Sequence, residues 1–186
     1  MQSIISFLLL FNCFTFADID SKIAKKPLQS KYAVGDKAHG GIVFYVDPTG
    51  EHGLVCAPHD QKLNGKPYTV WGCLGSTIRG ARGTAIGTGE HNTQDIIEKC
   101  TKGETAADVC AKLRLNGRND WYLPSKAELN EMYKAKRKGK LHFKRSGYWS
   151  STGTGNGNAW VQTMGMGFQF ISAKYGSHRV RAVRKF

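Results

Sequence analysis

The sequence predicts an α+β fold, on three observations. Before about residue 60 and again after Ser146, apolar residues come in short β-branched and aromatic runs between turn residues, whereas the middle of the chain places them at helical spacing behind capping residues. Strands and helices are thus segregated along the chain rather than alternating as a parallel sheet requires. The 186 residues, 40% hydrophobic and 22% charged, can build one buried core and do not have the composition of a disordered chain.

The elements follow in order. Gly41-Ile42-Val43-Phe44-Tyr45-Val46 reads as a strand, Asp47-Pro48-Thr49-Gly50 as a type I turn, and Leu54-Val55-Cys56-Ala57 as the returning strand of a hairpin. A Gly- and Thr-rich loop region follows from Gly72 to Gly89. Asn92 or Thr93 is the expected cap of a first helix with Ile96 and Ile97 inward, and Thr105 the cap of a second with Val109 and Leu113 on one face. Trp121-Tyr122-Leu123 reads as a short strand. Ser125-x-x-Glu128 is a capping box for a third helix carrying Leu129, Met132 and Tyr133 at i, i+3 and i+4. Beyond Ser146, four strand runs are expected: Tyr148–Ser150, Ala159–Met164, Phe168–Ile171 and His178–Val183, with Gly155-Asn156-Gly157-Asn158 as one of the turns.

Residues 1–17 hold no charged side chain, and their apolar run from Ile4 to Phe11 is short for a membrane span, so they read as a secretory signal cleaved after Ala17. A lipidated Cys13 is the alternative. Residues 18–37 read as a linker and 38–186 as the domain. In an exported chain the four remaining cysteines, Cys56, Cys73, Cys100 and Cys110, suggest two disulfides with three connectivities. Pairing of sequence neighbours, Cys56 with Cys73 and Cys100 with Cys110, is the expectation; four free buried thiols are the alternative.

The charge is strongly asymmetric. Up to Cys110 there are 11 basic and 11 acidic residues, whereas Ala111–Phe186 holds 16 against 3, and no acid follows Glu131. Lys136, Arg137, Lys138 and Lys140 lie within five residues, flanked by Lys134, His142, Lys144 and Arg145. Arg179 and Arg181 alternate with Val180 and Ala182, so a strand sends both guanidinium groups to one face; Arg184 follows. Planar guanidinium forks suit sulfate and phosphate oxygens, and one-sided charge attracts polyanions. These ten Lys and Arg residues are the candidate binding set. Of Tyr148, Trp149, Trp160, Phe168, Phe170 and Tyr175, most are expected in the core and a minority against ligand.

Other chemistries lack their residues. Gly87-Thr88-Gly89 has neither the third Gly of a dinucleotide fingerprint nor the Gly-Lys-Ser/Thr of a phosphate loop, and reads as a structural turn. The six His show no metal-ligand spacing, no Cys-x-x-Cys occurs and no nucleophile elbow is present, so neither metal, cofactor nor catalysis is expected.

Several blocks carry a resemblance. Gly40-Gly41-Ile42-Val43-Phe44-Tyr45, Gly53-Leu54-Val55, Gly83-Thr84-Ala85-Ile86-Gly87-Thr88-Gly89 with Asn92-Thr93, Asp120-Trp121-Tyr122-Leu123-Pro124-Ser125, Tyr148-Trp149-Ser150-Ser151-Thr152 and Arg179-Val180-Arg181-Ala182-Val183-Arg184 occur in order. Together they resemble the C-terminal domain family of the Legionella collagen-like adhesin. The resemblance implies a C-type-lectin-like fold with first and last strands adjacent, and, for the namesake, trimeric binding of sulfated glycosaminoglycans. This chain lacks a collagen-like Gly-x-y repeat, so a homo-trimer would have to form without a stalk. It also lacks the Glu-Pro-Asn and Gln-Pro-Asp tripeptides of calcium-dependent lectins.

The sequence therefore leads to a secreted or surface-exposed module for sulfated or otherwise anionic polysaccharide. Three alternatives stand beside it: a periplasmic or lipid-anchored protein, a structural envelope component held to an anionic surface, and an enzyme related to formylglycine-generating enzyme. That last chemistry needs a reactive Cys late in the domain, whereas the last one here is Cys110. Export makes nucleic acid a poor natural partner.

Overall fold

The computed structural model describes residues 31–101, 104–155 and 157–186. The expected signal, most of the linker and Asn156 of the expected Gly-Asn-Gly-Asn turn lie outside them. Two antiparallel sheets and three helices are present among the described residues. The first sheet holds β1 (Lys37–Ala38), β2 (Gly41–Val46), β3 (Gly53–Cys56) and β7 (Val183–Lys185) in the order β1-β2-β3-β7. The second holds β4 (Gly147–Gly153), β5 (Asn158–Thr163) and β6 (Gln169–Ala173) in sequence order. The helices are α1 (Gly89–Lys99), α2 (Ala106–Ala111) and α3 (Lys126–Arg137).

The hairpin forms because Asp47 caps its own turn: Oδ1 accepts from the Thr49 hydroxyl and from the Thr49 and Gly50 N–H groups. A second hairpin precedes it. His39 and Gly40 both have positive φ and join β1 to β2 by a two-residue turn, the conformation whose twist matches paired strands. Order extends back beyond the expected boundary at 38. Gly35 N–H donates to Val43 C=O, and Tyr32 packs edge-on against His39 and Phe186.

The last strand joins this sheet. Leu54 faces Lys185 and Cys56 faces Val183 across β3 and β7, which brings the chain's end beside its first hairpin. Alternation along β2 then feeds two cores. Val43 and Val55 pack with Trp71, Leu123 and Trp149 on one side, whereas Phe44 and Leu54 pack with Leu129, Met132, Tyr148 and Met164 on the other.

Thr105 and Ser125 each close a capping box, with Asp108 and Glu128 as the returning carboxylates. The first helix departs from expectation. It begins at Gly89 with Thr88 as the cap residue, and Asn92 and Thr93 sit inside it. Their side chains are taken by tertiary bonds: Asn92 to both backbone groups of Gly83, and Thr93 Oγ1 to Leu123 N–H at 3.0 Å and Gly89 C=O at 2.8 Å. Gly89 is required by close approach, since a Cβ there would lie 2.2 Å from Glu128 Oε2.

The cysteines correct the expected pairing. Cys73 and Cys100 form the disulfide, while Cys56 and Cys110 are free and buried. Cys56 lies on β3 with its side chain in the second core, and Cys110 lies on α2 in the first, so sequence proximity gave the wrong partners. Burial pushes the Cys56 thiol up to about 12 and raises Cys110 as well.

Candidate polyanion-binding surface

The basic segment is built on the end of α3. Gly139, at φ 70°, ends the helix: its N–H bonds Lys136 C=O and the Lys140 N–H bonds Ala135 C=O, the pair of bonds of a Schellman turn. Lys134, Lys136 and Arg137 occupy the last turn, where the helix dipole favours cations. Beyond it the chain alternates. Leu141 is buried in the second core and Phe143 packs against it, while Lys138, Lys140, His142 and Lys144 point outward and are exposed, as is Arg145.

Tyr133 organises the helical cations. Its ring lies where a Cβ on Gly167 would be, Lys136 Nζ sits 5.9 Å from the ring centroid, and Arg137 Nη1 lies 3.5 Å from its hydroxyl. Lys134 bonds Glu131 at 2.7 Å, an exposed pair of small energetic weight. A groove of about 340 Å³ runs beside the helix, with Val34, Tyr45 and Val46 on one wall and Glu131, Lys134 and Lys138 on the other. The arrangement offers cations on an open surface rather than in an enclosed cavity.

The three C-terminal arginines are placed differently: the expected strand at 178–183 is a stretch of isolated bridges holding Arg179, with Arg181 just beyond them, and only Arg184 lies on a strand, β7. Arg179 and Arg181 do share a face, but that face is closed by Asp60, so neither presents a free fork to solvent. Arg181 donates from Nε to Asp60 Oδ1 at 2.9 Å, from Nη1 to Ala57 and Pro58 C=O, and from Nη2 to His142 C=O at 3.3 Å. Arg179 reaches Asp60 Oδ2 at 3.1 Å, with its guanidinium 4.6 Å from the Tyr68 ring centroid. Tyr148 donates to the same carboxylate, and burial raises its phenol's pKa. Arg184 makes a bidentate pair with Asp120 at 2.7 and 2.8 Å and donates to His39 C=O. The hydrogen bond from Arg184 holds the Asp120 carboxyl below its ordinary range.

Arg179 and Arg181 therefore act as a frame for the loop after α3, whereas Arg184 ties β7 to Asp120 and to the β1–β2 turn. Arg181 holds the backbone of His142, and its guanidinium lies 4.4 Å from the Phe143 ring centroid, so it positions the loop carrying Lys140, Lys144 and Arg145. Sequence reasoning missed Asp60 and Asp120. Asp60 belongs to no motif, and Asp120 opens one of the blocks that carry the resemblance without any sign of its partner; the one available signal is indirect, since arginines flanked by core residues need acids from elsewhere in the chain.

The other blocks that carry the resemblance also do structural work. Thr152 Oγ1 donates to Gly83 C=O and accepts from Lys126 N–H; Ser125 Oγ donates to Ala85 C=O; and Glu128, buried, accepts from Gly87 N–H. The Gly83–Gly89 loop is thus clamped between α1, α3 and β4. Of the six aromatics expected mostly in the core, Tyr148 and Trp149 are buried, Trp160 is half-buried under Lys126 Nζ at 3.4 Å from its ring centroid, and Phe168, Phe170 and Tyr175 are exposed, so fewer enter the core than expected. Among the described residues no group of three or more His, Cys, Asp or Glu could hold a metal ion, and no helix is long and apolar enough to cross a membrane.

A family model described as the Lcl C-terminal domain matches residues 75–184, which takes in all three helices and the second sheet. No curated protein matches the chain. Among solved structures, a fimbrial protein from Bacteroides ovatus ATCC 8483 is similar with a TM-score of 0.47 and 16% identity. That likeness covers 90% of this chain and 41% of the fimbrial protein, so the chain spans less than half of its length.

Proposed function

Because the chain belongs to the Lcl C-terminal domain family, we propose that it is an exported, adhesin-like binding module that holds sulfated polysaccharide on the basic surface at the end of α3. The observation that carries this reading is the exposed run Lys134, Arg137, Lys138, Lys140, Lys144 and Arg145, in a part of the chain where Glu131 is the last acid. A linear polyanion needs many cations within reach on an open face, not an enclosed pocket, and the groove beside Lys134 and Lys138 supplies one apolar wall, Val34, Tyr45 and Val46, for sugar rings. The uncharged apolar start of the chain and the Cys73–Cys100 disulfide both support an oxidising, extracellular destination. The binding role falls on the exposed cations; Arg179 and Arg181 support them through Asp60 and His142.

Retention on heparin tests the proposal. Wild type should elute at high salt, and the Arg137/Lys138/Lys140/Lys144→Ala variant at markedly lower salt with unchanged thermal unfolding. Equal retention of the two proteins, or equal retention on sulfated and desulfated heparin, would overturn it.

A further inference from the structure

β6 is the outer strand of the second sheet, and among the described residues no strand pairs with its far side. The register places Thr163 opposite Phe168 and Val161 opposite Phe170 in bonded pairs, so Gln169 and Ile171 turn their backbone N–H and C=O groups away from β5. Natural sheet edges of this kind are blocked by charge, Pro, a bulge or a covering segment. Here Gln169-Phe170-Ile171-Ser172-Ala173 has no charge and no Pro, and its pairing with β5 runs without a register shift. Lys174, the cation that follows β6 in the chain, is turned inward: it is buried, with Nζ 2.6 Å from Ser76 C=O and 4.5 Å from the Trp71 ring centroid.

Large apolar side chains surround the open edge. Met166 is 67% exposed, Phe168 64%, Phe170 38%, Ile171 50% and Tyr175 69%. The stretch itself is uncharged, since no Asp, Glu, Lys or Arg occurs from Ser146 to Ala173 in a chain of net charge +13; the cation beside it is Lys126, whose Nζ lies 3.4 Å from the ring centroid of Trp160, the β5 partner of Ile171. We infer that β6 pairs antiparallel with β6 of a second copy, across a two-fold axis at Ile171, to make one continuous six-stranded sheet.

Three arguments select a second copy as the occupant. An antiparallel edge is self-complementary: with the axis at Ile171, Gln169 stands opposite Ala173 of the other copy and each Ile171 opposite its twin. Charge restricts where two such cationic chains can meet, because contact through the basic loop sets a cluster of lysines against its twin, whereas β6 itself carries no charge and Lys126 beside it is held over the Trp160 ring. Area is sufficient. With aromatic side chains offering roughly 150–250 Å² each, these exposures amount to about 500 Å² per copy, and about 1,000 Å² for the pair reaches the lower end of specific interfaces. Two basic loops on one particle would also bind a long polyanion with greater avidity, though the pairing does not depend on that reading.

Sedimentation of the full chain from about 1 μM to about 1 mM spans the affinity expected of so small an interface. The mass should double with concentration, and added salt should favour the pair by screening the repulsion between two cationic copies. Ile171→Lys and, separately, Phe168→Lys should weaken association at least tenfold while unfolding like wild type. As a measurement independent of those variants, Ile171→Cys should cross-link to a covalent dimer under mild oxidation, because bonded antiparallel partners stand about 5.5 Å apart. A chain that stays monomeric throughout, a mass that triples, lysine variants that associate like wild type, or an Ile171→Cys variant that cross-links no more than Ile86→Cys would overturn the inference.

Discussion

Arg181 and Asp60, 121 residues apart in the chain, form the ion pair on which the basic loop is mounted. Arg181 is buried and spends its donors on Asp60 and on the Ala57, Pro58 and His142 carbonyls, so the pair ties the end of β3 to the last strand region and to the loop after α3. Removing the acid strands a buried guanidinium. Asp60→Asn should cost about 3–5 kcal/mol of stability, the usual penalty for breaking a buried pair from one side. Arg181→Lys keeps the charge but loses the fork to three carbonyls, at a cost on the order of 2 kcal/mol. Urea denaturation checks both; an unchanged midpoint for Asp60→Asn would contradict this account.

Asn92 imitates a backbone partner for Gly83. Its Oδ1 accepts from Gly83 N–H at 3.0 Å and its Nδ2 donates to Gly83 C=O at 2.7 Å, and all of this lies inside α1, where Asn has no local advantage. Asn92→Ala should cost about 3 kcal/mol, because it leaves two backbone groups without partners. Asn92→Asp should cost at least as much, since it sets a carboxylate oxygen against the Gly83 carbonyl. Chemical denaturation of both variants decides it; Asn92→Asp as stable as wild type would show that the clamp is dispensable.

The thiols should report the corrected pairing. In the folded chain Cys56 and Cys110 should resist alkylation, and in denaturant both should react, while peptide mapping finds Cys73 joined to Cys100. The disulfide closes a sequence separation of 27 residues, so Cys73→Ser should cost about 3–4 kcal/mol in the chain-entropy account. A mapped link from Cys56 to any other cysteine would refute this arrangement.

His178 makes stability depend on mild acid. Its ring is edge-on to Trp149 at 4.5 Å and near Phe170, its Nε2 lies 2.9 Å from Ser172 Oγ, and burial lowers its pKa from the ordinary 6.5. His39 is lowered too, by burial first and then by Arg184, Arg118 and Lys31. The native state therefore holds these protons less tightly than the unfolded chain does. Their contribution is complete above pH 6.5 and declines as pH falls below it toward the folded-state values. Unfolding midpoints between about pH 7.5 and 5 should fall with acid, and His178→Gln should flatten the fall. An imidazole of His178 titrating at or above 6.5 by nuclear magnetic resonance would contradict the sign.

What the sequence made legible was local. Ser125 with Glu128 and Thr105 announce their helices because a capping box is written within four residues, and Val43 and Phe44 announce their strand by alternation. Asn92 misleads for the converse reason: its usual role is a cap, and only the tertiary position of Gly83 explains its place inside α1. The same holds for the site. Exposure of Lys138 and Lys140 follows from the Schellman turn at Gly139, which the Lys-rich run with its single Gly suggests. That Arg181 is neutralised by Asp60 depends on a contact 121 residues away, and no spacing rule reaches that far.

The division between exposed and framed cations gives the last prediction. Affinity for a polyanion falls with salt in proportion to the cations engaged, with a slope near 0.9 per contact on duplex DNA as the analogy. Neutralising Arg137, Lys138, Lys140 and Lys144 together should lower heparin affinity and flatten its salt slope by several units, while each single change, worth under about 1 kcal/mol at an exposed site, should have little effect. Arg181→Lys should behave in the opposite way, lowering stability while leaving the slope near wild type, because its donors face Asp60 and carbonyls rather than solvent. Heparin binding measured against salt for the three proteins, each alongside its unfolding curve, separates the roles. A slope lost in Arg181→Lys at temperatures where that variant is fully folded would return Arg179 and Arg181 to the binding surface and remove the basis for treating them as a frame.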